Sequence, residues 1–345
     1  MPQSPIFDNW SIDRLAGQRL MVGFDGTRFD DHLAGILSGI EPGGLILFRR
    51  NVESPEQLRT LCADAQDFAR SIGLPPLLIS IDQEGGTVAR LGPPFTVFPG
   101  NPAMETLEDA DFFGRTSARE LLDVGIQMNL APVMDVAPPG EAGIMEARVF
   151  RGGPDRVAAM GRRAIRAMQE GGLLAVAKHF PGIGRTVLDS HEDLPRMAAS
   201  LAEMESMELP PFRAAVEAGV AGIMLSHILY PALDPRWPAS LSPAIARDLL
   251  REELGFSGLV LTDDLDMGAI HRHYSLEQAI PQILASEIDL ILICHPGPAA
   301  ESAKTQMARI IREREDDCRR AAESVSRILA AKQRILPEAS GSRLA

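Results

Sequence analysis

The stretch LVLTDDL, residues 259–265, sets the reading of the whole chain. Its first half is continuously apolar, as a strand buried on both faces should be. Its second half turns abruptly to carboxylates. Seven other short runs share the apolar character: RLMVGF (19–24), GLILF (44–48), LLISID (77–82), IQMNLAPVMDV (126–136), LAVAKHF (174–180), GIMLSHI (222–228) and IDLILICH (288–295). Polar and charged residues gather where these runs end: Asp82, Asp135, Lys178-His179, Ser226-His227, Asp263-Asp264 and His295.

Between the runs lie helical stretches. SPEQLRTLCADAQDFARSI (54–72) starts on a Ser N-cap with Glu and Gln in its first turn. DRVAAMGRRAIRAMQEGG (155–172) stops at a glycine pair, and SPAIARDLLREELGF (242–256) opens Ser-Pro and closes near Gly255. The stretch from Ala300 to Lys332 is rich in Ala, Arg and Glu and reads as helix. Strand alternating with helix implies a parallel sheet with right-handed crossovers. Eight such strands predict an α/β fold, a single closed (β/α)8 barrel of the TIM type. An open doubly wound sheet is the alternative, and polar residues at so many strand ends favour the barrel, whose sites gather there. No linker or composition break divides the chain. We expect one domain over residues 1–345, with a core at about 15–335 and a frayed tail.

The chain has 345 residues, with 34 Lys plus Arg against 47 Asp plus Glu, a formal net charge of −13. That balance argues against a general nucleic-acid backbone binder. Three scattered cysteines, Cys62, Cys294 and Cys318, form neither a disulfide framework nor a C-x-x-C pair. No apolar run approaches ~18 residues and no signal-peptide pattern opens the chain, so no membrane partner and a cytoplasmic location are expected. Aromatic residues are only 5%, so a sugar site would rest on polar contacts more than on stacking.

Three segments carry candidate chemistry. Ile81-Asp82-Gln83-Glu84-Gly85-Gly86 puts a carboxylate at a strand end before a glycine turn, where Asp82 could accept hydrogen bonds from neighbouring hydroxyls. Glu84 reads as structural. In KHFPGIGRTVLDSH (178–191), Lys178 and His179 should point to opposite faces of a regular strand and can share one site only where that strand ends or distorts. Asp189 and His191 follow two apart, a carboxylate near an imidazole suited to general acid/base work. In Thr262-Asp263-Asp264, alternation lets only one aspartate face a reacting atom. His227 reads as pocket wall or as structural.

These motifs resemble the bacterial β-N-acetylhexosaminidases of glycoside hydrolase family 3, over about residues 15–300. The resemblance rests on IDQEGGTVARL (81–91), NLAPVMDV (129–136), RVF (148–150), KHFPGIGRTVLDSH (178–191) and LGFSGLVLTDDLDM (254–267). It implies a retaining exo-glycosidase that removes terminal β-linked N-acetylglucosamine from cell-wall (peptidoglycan) fragments. Asp263 would be the nucleophile, His191 the proton donor and Asp189 its partner. Asp82, Arg90, Arg148, Lys178 and His179 would hold the sugar. The resemblance implies no metal and no organic cofactor, and a small saccharide or muropeptide as the partner. The oligomeric state stays open, with a monomer favoured. Ile183, Thr87 and Val149 depart from the family's pattern around these motifs. A β-glucosidase-like enzyme or a glycoside phosphorylase is the alternative reading. A metal hydrolase using His179, His191, His227 and Asp263 lacks ligand spacing, and a non-catalytic sugar binder would not need all three catalytic groups.

Overall fold

A computed structural model describes residues 10–138, 143–186, 188 and 193–335. Among them, eight parallel strands close a barrel: β1 (Leu20–Val22), β2 (Gly44–Leu47), β3 (Leu78–Ile81), then β6 (Met128–Asn129), β7 (Leu174–Phe180), β8 (Gly222–Leu225), β9 (Leu259–Asp264) and β10 (Leu290–Ile293). Each pairs with its neighbours in sequence order and β10 returns to β1, with Leu20 opposite Ile291. A small antiparallel hairpin, β4 (Gln83–Gly85) and β5 (Val88–Ala89), follows β3 on top of the barrel.

All eight apolar runs become strands because each offers two apolar faces. In β9 and β10, Leu259, Leu261, Leu290 and Leu292 fill the barrel interior, while Val260, Ile291 and Ile293 pack outward against the helices. The fourth run is the least regular. Only Met128 and Asn129 form a ladder, because Pro132 cannot donate to one. The chain nevertheless stays alongside β7 through Val133, which bridges to Lys178.

The helices follow their sequence signals. Ser54 caps Pro55–Ser71 in a reciprocal box with Gln57. Pro154–Glu170 ends at Gly171. The run after Ser242 winds as a π-helix over Ala244–Glu253. The C-terminal stretch differs from a single helix: Arg314 is extended and separates Ala299–Glu313 from Glu315–Ile335. The break lets the last helix cross under the barrel, where Ile328 and Ala331 join the interior cluster and Lys332 Nζ donates to Gln18 Oε1 at 2.9 Å. The N-terminal mouth is thereby sealed, and the opposite mouth carries the polar residues.

Candidate active site

Asp82 sits between β3 and the hairpin. Its Oδ1 accepts from Lys178 Nζ at 2.6 Å and its Oδ2 from Arg90 Nη2 at 3.2 Å. The hairpin that carries Glu84 and delivers Arg90 is fixed twice. Gln83 Oε1 accepts the backbone N–H groups of Arg90 and Leu91, and Asn129 on β6 exchanges two hydrogen bonds with the Gln83 backbone. Gly85 turns the hairpin at φ 87°, and a Cβ there would lie 2.7 Å from Phe98 Cβ. Beneath Asp82, buried Glu84 accepts from Lys178 Nζ at 2.7 Å and from Arg148 Nε and Nη2 at 3.0 and 2.7 Å. Phe48, at the end of β2, lies 5.4 Å from the Arg90 guanidinium and 4.6 Å from that of Arg50.

Lys178 and His179 do share one site. Pairing with β8 runs Lys178 to Met224 and then Phe180 to Leu225, so His179 is an extra, bulged residue. A bulge re-aims its side chain and breaks the strict alternation. The Lys178–His179 peptide is cis. Asp135 receives the result: its carboxylate accepts from His179 Nδ1 at 2.8 Å, and from the backbone N–H groups of His179 and Ile183 at 3.3 and 2.8 Å. A carboxylate only accepts, so this pairing selects the Nδ1–H tautomer and leaves Nε2 as an acceptor. Arg148 Nη2 stands 3.5 Å from that Nε2.

The aspartate pair separates as alternation requires. Asp264 turns toward β10: its Oδ1 accepts from the backbone of Asp266 and Cys294, each at 3.1 Å, and its Oδ2 lies 3.6 Å from His295 Nδ1. Burial and the nearby Asp266 carboxylate push its pKa up to about 6, against those two N–H bonds. Asp263 faces the site instead. Burial pushes its pKa up, but the His227 and His179 imidazoles, the Asp264 N–H and the Lys178 ammonium outweigh it, so the carboxyl stays below its ordinary value. Asp82 and Glu84 behave alike: burial raises them, Lys178 and the adjacent arginines pull harder, and both titrate below the ordinary range. Lys178, despite burial, is raised by Asp82 and Glu84. All four are therefore charged at neutral pH.

His227 is held in the wall of the site beside Asp263. Its Nδ1 meets Ser240 Oγ at 2.6 Å and its Nε2 donates to the Asp264 carbonyl at 2.8 Å. With both of its ring nitrogens committed, His227 is lost to the metal-hydrolase alternative as a ligand.

Asp189 and His191 lie outside the described residues. The described chain leading toward them is firmly held. Arg185 makes a two-pronged pair with buried Glu208 at 2.6 and 2.8 Å, and a Cβ on Gly184 would lie 2.0 Å from the Val136 carbonyl oxygen. Of the three departures, Ile183 uses its backbone for Asp135, with its side chain in the core. Val149 is buried, and Thr87 is exposed in the hairpin turn. The pairing of Asp135 with His179 is not readable from the sequence. Asp135 stands out because it ends an apolar run, but its histidine partner lies 44 residues away.

A half-buried, ionised carboxylate at one strand end, among charged and hydrogen-bonding groups from several others, is the arrangement of a barrel enzyme's active site. The chain belongs to glycosyl hydrolase family 3 and is a glycoside hydrolase: the description of that family's N-terminal domain matches residues 11–331. It is 36% identical over 287 residues to the β-hexosaminidase of Alkalilimnicola ehrlichii, covering 80% of this chain and 81% of that protein. The glycoside hydrolase family 3 β-N-acetylglucosaminidase from Paenibacillus sp. FPU-7 superposes with a TM-score of 0.90 at 36% identity. That match covers 97% of this chain, which spans 66% of the Paenibacillus chain. The β-N-acetylhexosaminidase from Beutenbergia cavernae superposes with a TM-score of 0.85 at 27% identity, covering 94% of this chain and 99% of that one. Among the described residues no helix is long and apolar enough to cross a membrane.

Proposed function

We propose that the chain is, as one catalytic domain, a retaining β-N-acetylhexosaminidase that removes terminal β-linked N-acetylglucosamine from peptidoglycan fragments in the cytoplasm. The observation that carries this reading is the placement of Asp263, half-buried and ionised at a strand end beside Lys178 and His179. In the first step an Asp263 oxygen attacks the anomeric carbon, the glycosidic C–O bond breaks and His191 gives its proton to the leaving oxygen. In the second, His191 takes a proton from water, whose oxygen displaces Asp263. Asp189 orients the imidazole. Asp82, with acceptor capacity left after Lys178 and Arg90, takes sugar hydroxyls, and Arg90, Arg148, Lys178 and His179 complete the clamp. The hexosaminidase relatives support N-acetylglucosamine as the sugar.

The test is release of nitrophenol from its β-N-acetylglucosaminide and β-glucoside, with and without phosphate. Wild type should prefer the N-acetylated substrate without needing phosphate. Asp263→Ala should lose roughly 10⁴-fold in kcat. A glycosyl adduct on Asp263 should appear in rapidly quenched protein. Full activity of Asp263→Ala would overturn the assignment, and a phosphate requirement would make the chain a phosphorylase.

A further inference from the structure

Glu84 has no route to a substrate. Its side chain is 3% exposed, and both of its oxygens already take buried donors: Lys178 Nζ and Arg148 Nη2 on Oε1, Arg148 Nε on Oε2. It therefore cannot be an acid, a base or a hydroxyl acceptor in the reaction. Yet both of its partners come from elements far away in sequence, Lys178 from β7 and Arg148 from the segment after residue 143. Each partner has donors to spare. Lys178 Nζ uses one of its three protons on Glu84 and one on Asp82. Arg148 uses its Nε edge on Glu84, and among the described residues its Nη1 contacts only the Met145 sulfur, at 3.6 Å.

We propose that Glu84 is a positioning residue: one buried carboxylate clamps Lys178 and Arg148 in register, so that Arg148 Nη1 and the third Lys178 proton point at the sugar and Asp82 keeps acceptor sites free. A bidentate carboxylate fixes the plane of a guanidinium as well as its position. Without it, Lys178 has Asp82 as its remaining carboxylate partner, and Arg148 can rotate toward Asp135. The sugar then meets an Asp82 already consumed and an arginine out of plane. This inference rests on the proposed glycosidase reading of the site.

The experiment is a cycle of Glu84→Gln, Arg148→Met and their double variant in the full chain, assayed on nitrophenyl β-N-acetylglucosaminide. Glutamine keeps the shape of Glu84 and removes its charge, and the double variant removes both partners, which guards against an unpaired buried charge that prevents folding. Glu84→Gln should lower kcat/KM about 100-fold, mostly through KM, because the clamp binds ground and transition states alike. The double variant should lose less than the product of the two single losses, because Glu84 acts partly through Arg148 and partly through Lys178. Additive losses, or a Glu84→Gln value within threefold of wild type, would overturn the proposal. A readout independent of turnover is the ¹⁵N-edited proton signal of Arg148 Nε at neutral pH. It should persist in wild type and in Asp82→Asn and vanish by exchange in Glu84→Gln. Persistence in Glu84→Gln overturns the positioning role. Failure of wild type on every glycoside overturns the functional reading instead.

Discussion

Replacing Asp264 by Asn tests the assignment of the two adjacent aspartates. Asp264 is 13% exposed, and its carboxyl faces β10 with Oδ1 taking two backbone N–H bonds. Burial, helped by Asp266, raises its pKa from 3.8 to about 6. A carboxyl whose pKa is raised on folding stabilises the protein through its protonated form. That contribution is fully present below pH 3.8 and is lost as pH rises through about 6. At 1.36 kcal/mol per pKa unit the loss is about 3 kcal/mol above pH 6. Asparagine keeps an acceptor for the two N–H groups and cannot ionise. Asp264→Asn should therefore match wild type in stability near pH 4 and exceed it by up to about 3 kcal/mol at pH 7. Urea unfolding across pH 4 to 8, with the variant-minus-wild-type difference plotted, reads this directly. Hydrolysis at pH 7 should fall far less than in Asp263→Ala. A flat difference curve would refute the burial argument. Loss of activity equal to that of Asp263→Ala would refute the assignment of Asp263 as the nucleophile.

Other expectations concern the second histidine partner and the barrel floor. Asp135→Asn presents an amide N–H to His179 Nδ1, forcing the opposite tautomer and setting Nε2–H against the Arg148 guanidinium. We expect kcat/KM to fall about 10–100-fold, with the His179 ring ¹⁵N shifts exchanging character; unchanged shifts would refute the tautomer argument. Lys332, buried in the floor, is pushed by desolvation down to about 7 from 10.5. A base depressed on folding contributes stability that is present above pH 10.5 and lost as pH falls through about 7, here up to about 5 kcal/mol. Lys332→Met should abolish this slope, and urea unfolding between pH 7 and 10 that shows the same slope in both proteins would refute it.

The eight strands were legible because burial on both faces writes a continuous apolar run, which needs no knowledge of neighbours. The helix caps at Ser54 and Gly171 were legible because capping is local. The break at Arg314 was not, since a helix-forming composition continues through it and the turn is set by the barrel floor above. Asp82, Lys178 and Asp263 could be named as candidates because a charge at the end of an apolar strand stands out on its own.

What the sequence by itself determined, then, is the barrel and the set of charged residues at its open end, because both follow from patterns a few residues long. The tertiary structure decided how those charges are arranged. The bulge at His179 brings two adjacent side chains to one site. The turn of Asp264 toward β10 leaves Asp263 to the pocket, and the burial of Glu84 and Asp135 under partners 64 and 44 residues away makes them supports of the site. Those roles depend on desolvation and on distances between segments that meet only when the barrel closes.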